Sequence, residues 1–180
     1  MTADRNKAVS ETVNKAKSFS RDNTFALSTG VVFKAIRVPS MVFPELMARM
    51  ERPKPPRVFI ADIGREEENP SDPDYIAKLD VFNAEYTKAI IDTMIVLGTE
   101  VLSVPDDIKK DNDELWLKKL KALRMFPEDE IQRYLLWVKT VAAPLDDDIQ
   151  SIMREVGRLS GVSEEDVSEA VETFRDNPER

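Results

Sequence analysis

Residues 24–38 alternate in steps of two. Ala26 separates Phe25 from Leu27, and Val31-Val32-Phe33-Lys34-Ala35-Ile36-Arg37-Val38 is rich in β-branched and aromatic side chains. Ser28-Thr29-Gly30 lies between these runs, and glycine accepts the positive φ of a tight turn. The pattern predicts a β-hairpin that ends at Pro39, which has no N–H to give to a ladder. A short amphipathic helix is expected over 41–50, with Ser40 as N-cap and Pro44 in the first turn. Its apolar set is Met41, Phe43, Leu46, Met47 and Met50. The run Arg52-Pro53-Lys54-Pro55-Pro56 follows as an extended connector. Residues 57–64 alternate again, Val58 and Ile60 against Phe59, Ala61 and Ile63, and are expected to supply a third antiparallel strand.

After a polar stretch at 66–74 the period lengthens to that of a helix. Asp72 is the expected N-cap, with Pro73 at N1 and Asp74 facing the positive end of the helix dipole. Ile76, Leu79, Tyr86, Ile90, Met94 and Leu97 form the stripe of this long helix, Phe82 and Ile91 widen it, and Gly98 is its expected stop. Further helices are expected over 113–125 (Trp116, Leu120, Leu123) and over 128–142 (Ile131, Leu135, Val138, Ala142). Beyond Pro144 another is expected over 145–159, where Leu145, Ile149, Ile152, Val156 and Leu159 form a narrow seam. After Gly161, Ser163-Glu164-Glu165-Asp166 resembles a capping box, followed by the stripe Val167, Ala170, Val171 and Phe174. Residues 1–22 carry a sparse stripe of Ala8, Val13, Ala16 and Phe19, which reads as a weak helix or a loose arm.

These elements add up to an α+β fold, mostly α, with a small antiparallel sheet (hairpin plus third strand) followed by a helical bundle. The expected division is a polar N-terminal arm at 1–22, a sheet with the long helix at 23–100, and an acidic helical region at 101–180. A soft boundary is expected over 101–112. Burial is expected for Phe25, Leu27, Phe33, Ile36, Ile60, Leu79, Tyr86, Ile90, Met94, Leu120, Leu135, Val138, Ile152 and Val156.

Composition narrows the chemistry. The chain has 180 residues, 42% of them apolar, with neither Cys nor His. Disulfides, thiolate nucleophiles, His-based triads and the usual zinc sites are thereby excluded. Charge is uneven: residues 1–60 hold eleven Lys/Arg against five Asp/Glu, 61–143 eleven against eighteen, and 144–180 four against eleven. A net charge of −8 argues against nucleic acid as main partner. The basic front suits an acidic protein surface, including the acidic back half of another copy. No apolar run reaches the ~18 residues of a membrane span, and no signal core follows Met1, so a cytoplasmic location is expected.

No constellation points to catalysis. Five glycines form neither a P-loop nor a dinucleotide fingerprint, and there is no G-x-S-x-G elbow. The stretch 66–74 lacks the glycine and closing Glu of a calcium loop. The acidic clusters Glu66-Glu67-Glu68, Asp106-Asp107 and Asp146-Asp147-Asp148 read as loop or helix-start residues. Lys118, Lys119, Lys121 and Arg124 beside Trp116 read as a solvated helix face. No catalytic, cofactor or metal residue is therefore expected. The surplus apolar residues Tyr134, Leu136 and Trp137, with Trp116, leave two readings: a partner-binding surface, or a central helix buried on two sides.

The stretch Phe25-Ala26-Leu27-Ser28-Thr29-Gly30-Val31-Val32-Phe33-Lys34-Ala35-Ile36-Arg37-Val38-Pro39 and the helix after it resemble bacteriophage tail assembly chaperones. The run ERPKPPRVFIADIGREEENPSDPDY at 51–75 is similar to phage structural-module proteins, so the resemblance covers about residues 24–75. It implies a non-enzymatic protein of the host cytoplasm that coats the long tape-measure protein and recruits tail-tube subunits. In many such genes a frameshift yields a longer second product. Alternatives are a structural virion component, such as a tail or neck adaptor, and a metal-dependent carboxylate enzyme.

Overall fold

The computed structural model describes residues 23–60 and 64–161. The expected arm at 1–22, the middle of the expected strand at 61–63 and the helix expected after Gly161 lie outside the described residues. The fold is α+β and mostly helical. Its described residues fall into two compact units, one from 23–40 and 91–161, the other from 41–60 and 64–90. The division differs from the boundary expected over 101–112, and the long helix contributes to both units.

In the first unit, β1 (Thr24–Ala26) and β2 (Val32–Ala35) form the expected hairpin, antiparallel, with Phe25 opposite Phe33. Their rings stack with centroids 5.9 Å apart. Leu27 donates its N–H to Val31 O at 3.0 Å and Gly30 to Leu27 O at 2.9 Å. Gly30 sits at φ 82°, where a Cβ would also press on Pro105 at 3.2 Å. Strand parity then fixes the core: Val31, Phe33 and Ala35 are buried, two residues apart. Ile36, three positions from Phe33, falls on the other side and is exposed, contrary to expectation.

The third strand of this sheet is not the one expected. The order is β1-β2-β5, and the partner of β2 is Thr99–Ser103, directly after the long helix. Phe33 faces Val101 and Ala35 faces Thr99, with a register irregularity between Val32 and Phe33. This strand, the fifth in chain order, is β5.

The long helix, Pro73–Gly98, is α2, after α1 (Val42–Ala48). Asp72 accepts a hydrogen bond from Tyr75 N at 3.0 Å, the expected cap. In the first unit its buried face runs through Ile91, Met94 and Ile95, and in the second unit Phe82 is buried, whereas Ile76 and Leu97 of the expected stripe are exposed; Leu79, Tyr86 and Ile90 are half-buried. Gly98 explains the phase. It shares a face with Ile91 and Ile95, and a Cβ there would overlap the Val156 side chain and lie 3.2 Å from Val38 Cγ2. Gly98→Ala is therefore expected to cost about 1–3 kcal/mol through overpacking, read as a lower urea midpoint.

Three helices complete this unit: α3 (Glu114–Ala122), α4 (Glu130–Trp137) and α5 (Asp146–Ser160). Asp113 and Asp129 cap α3 and α4, each accepting a backbone N–H at 2.7 Å. The helix expected over 128–142 is interrupted. Val138–Ala142 is a π-helical turn, in which Ala143 N bonds Val138 O at 2.7 Å. Its extra residue rotates the phase by roughly 100°. Trp137, Val138 and Ala142 are buried and Leu135 is half-buried, while Ile131, ahead of the π turn in the first turn of α4, is exposed together with its neighbours Glu130 and Gln132. In α5 the narrow seam widens to include Asp148, Ile149, Ile152, Met153, Val156, Gly157 and Ser160, all buried, while Leu145 is exposed. Ser160 Oγ accepts Val38 N at 3.0 Å.

The second unit holds α1, a separate hairpin and the front of α2. No side chain caps α1, whose N-cap is Met41 rather than the expected Ser40, and none of its residues is buried. The residues 57–60 do form a strand, β3 (Arg57–Ile60), but its partner is β4 (Arg65–Glu68), within the stretch expected to be a loop. Asn69 N to Pro56 O at 2.8 Å and Gly64 N to Ile60 O at 2.9 Å bracket the ladder. Every β3 residue is exposed, Ile60 included, so the expected burial of Ile60 is corrected. Phe82 and Tyr86 stack along α2.

Candidate functional site

Four residues stood out as a partner surface, and they divide. Trp116 is buried on α3 together with Leu120. Trp137 is buried to 2% exposure, and its indole N–H donates to Lys109 O at 2.6 Å. Neither offers an exposed ring, and Trp137 is the one buried residue of α4. Leu136 is half-buried. Tyr134 and Trp137 come together along a cleft of about 390 Å³, with Thr99, Glu100, Lys110 and Asp111 on its walls.

Several polar groups at the cleft pair with one another or with the backbone. Thr99 donates its hydroxyl to Ile95 O at 2.6 Å, which commits its one proton, so the 2.6 Å contact with Tyr134 Oη is a bond that Tyr134 donates. Arg133 pairs with Asp111 at 3.3 Å. Burial pushes the Tyr134 phenol above its ordinary value; a Thr99 hydroxyl turned toward the phenolate opposes part of the rise, and the negative charge of Glu100 adds to it. A phenol whose folded pKa is raised gives stability that is complete below the unfolded value and lost as pH rises through the folded one. Stability is therefore expected to fall above about pH 10, and Tyr134→Phe to flatten that fall. Urea melts of both proteins across the alkaline range test this.

The acidic clusters separate. Glu66 and Glu67 lie in β4, opposite Phe59 and Val58: Arg57 of β3 pairs with Glu66 at 3.9 Å, and Arg65 of β4 bonds Glu67 two residues along its own strand. Asp106 and Asp107 are exposed. Asp146, Asp147 and Asp148 occupy the first turn of α5 as expected, but Asp148 is buried rather than solvated. Its carboxylate accepts Ser28 N at 2.7 Å and Ser28 Oγ at 2.6 Å. Thr29 Oγ1 donates to Ala142 O at 2.6 Å, at the end of the π turn. Together these bonds latch the β1–β2 turn to the start of α5. Among the described residues no group of three or more acidic side chains could hold a metal ion. None of the helices in the described residues is long and apolar enough to cross a membrane.

The exposed apolar residues lie elsewhere. On the second unit, Val58, Phe59 and Ile60 of β3 are all exposed, Phe59 by 62%. On the first unit, Leu115, Leu123, Met125, Phe126 and Ile131 are exposed around the α3–α4 turn. Leu123 was expected to share the inner face of Trp116 and Leu120. Instead α3 ends at Ala122, Arg124 turns left-handed at φ 59°, and Met125 N closes back on Leu120 O at 2.9 Å. That closure is a Schellman-type stop with arginine in the place where glycine is usual, and it swings residues 123–126 outward. The signal that marks this corner in the sequence is the apolar run Leu123, Met125, Phe126 before Pro127. Comparison with protein families, curated proteins and solved structures finds no match.

Proposed function

We propose that this chain is a non-enzymatic bacteriophage tail assembly chaperone that shields the tape-measure protein in the host cytoplasm and aids tail-tube assembly around it. The observation that carries the reading is the β3–β4 hairpin, which exposes three successive apolar side chains, Val58, Phe59 and Ile60. A two-stranded hairpin is marginal by itself, and exposed apolar surface of this kind favours a partner. Its alternation puts Val58 and Ile60 on one face and Phe59 on the other, so either face suits the apolar stripe of an amphipathic helix. A tape measure is a long succession of such helices, and many weak contacts along it add through avidity. The resemblance over residues 24–75 includes this hairpin.

Co-expression with the tape-measure protein tests the proposal. The long protein is expected to remain soluble with the wild-type chain and to precipitate with Val58→Glu/Phe59→Glu, whose new carboxylates also face Glu67 and Glu66 and weaken the hairpin. Val58→Thr/Phe59→Thr, which removes apolar surface without that repulsion and should melt within about 0.5 kcal/mol of wild type, is expected to lose the protection too. Tape-measure solubility that is independent of the chain would refute the reading. The chain's presence in purified particles would favour a virion component instead.

A further inference from the structure

The α3–α4 corner combines apolar exposure with unpaired positive charge. Leu123 is 68% exposed and Phe126 54%. Lys118, Lys119, Lys121 and Arg124 surround them, all exposed. Lys118 pairs with Glu114 at 3.7 Å, but no ion pair among the described residues involves Lys119, Lys121 or Arg124. In a chain of net charge −8, such a cationic, apolar corner calls for an acidic, apolar partner. The chain carries one in its own sequence. Residues 162–180 hold seven Asp/Glu against two Arg, and Val167, Ala170, Val171 and Phe174 recur at three, one and three, one face of a helix.

We propose that the α3–α4 corner is a self-association site that receives the acidic segment 163–174 of a second copy. The apolar stripe of the segment covers Leu123, Met125 and Phe126, and its carboxylates face Lys119, Lys121 and Arg124. Because each chain carries both halves, two-fold symmetry pairs them reciprocally and closes the assembly at a dimer. The inference does not rest on the tape-measure reading, since both components belong to this chain.

Light scattering coupled to size exclusion on the full chain, over a concentration series, is the test. The wild type is expected to reach twice the 20.5 kDa chain mass. Leu123→Glu on the corner and Phe174→Glu on the segment are each expected to weaken the dimer by roughly thirtyfold. An equimolar mixture of the two variants is expected to recover dimer, because one intact corner and one intact segment remain between them. Circular dichroism melts establish that Leu123→Glu is folded; Lys119→Glu/Lys121→Glu is the second corner variant, expected to weaken the dimer with less dependence on salt. A wild-type chain that stays monomeric at every concentration, as it would with the segment on its own corner or a foreign partner there, overturns the proposal. So does a dimer indifferent to both variants, or a mixture that recovers nothing.

Discussion

Trp137→Ala is expected to lower the free energy of unfolding by about 3–5 kcal/mol, the cost of removing a large aromatic side chain from a core. Trp137 is 2% exposed and gives its indole proton to Lys109 O. Truncation therefore opens a cavity and also leaves a carbonyl of the 104–113 connection without its donor. Against a typical total of roughly 5–15 kcal/mol, the variant should be partly unfolded at moderate temperature. Trp137→Phe keeps most of the volume and loses the hydrogen bond, so about 1–3 kcal/mol is expected. Urea denaturation of both variants measures the difference. A Trp137→Ala protein as stable as wild type would place the indole on the surface and reverse the assignment of this residue to the core.

The Asp148 latch carries the second large effect. Asp148→Ala removes an acceptor of two hydrogen bonds to Ser28, 120 residues away in sequence. Bonds to a charged acceptor are worth more than neutral ones, and about 2–3 kcal/mol of destabilisation is expected. Ser28 is exposed, so water replaces part of what its N–H and hydroxyl lose, which keeps the figure from rising further. Ser28→Ala leaves the backbone N–H bond intact and is expected to cost about 1 kcal/mol. In the double variant the two effects should not add, because the hydroxyl has no carboxylate left to meet. A double-mutant cycle in urea is the measurement. Strict additivity would mean that the side chains do not meet.

Local chemistry explains which parts of this fold were legible in the sequence. The β1–β2 hairpin was legible because its alternation, its Ser-Thr-Gly turn and Pro39 all agree. The start of α2 was legible because Asp72-Pro73-Asp74 is a helix beginning in three separate respects. Non-local pairing was not legible. The strand β5 follows Gly98 without a break, and nothing within residues 99–103 says that its partner lies at residues 32–35. The strand β4 is Arg-Glu-Glu-Glu, a sequence of low strand propensity held by its ladder to β3 and by Arg57, which pairs with Glu66 across the two strands. The periodicity misassigned Ile131 because a stripe marks which face of a helix is apolar, not how far along the helix that face is covered: Glu130, Ile131 and Gln132 in the first turn of α4 are all exposed.

The surface residues show the same division. Trp137 and Leu136 lie off the expected stripe, yet Trp137 is buried at the end of α4, where its indole meets the Lys109 carbonyl. Tyr134, expected at a partner surface, meets the Thr99 hydroxyl in a cleft. Asp148 reads like its two acidic neighbours until Ser28 is beside it. The exposed positions at Leu123, Met125 and Phe126 depend on where α3 ends, and Ala122-Leu123-Arg124 has no glycine to mark that stop.

We propose that the chain works by holding a long helical partner. The most direct test is the mass, by light scattering coupled to size exclusion, of the chain co-purified with the tape-measure protein. The expected result is a soluble complex containing several copies of the chain per tape-measure molecule, lost when Val58 and Phe59 are both replaced by Glu. A chain that elutes at its own mass while the long protein precipitates would contradict the account.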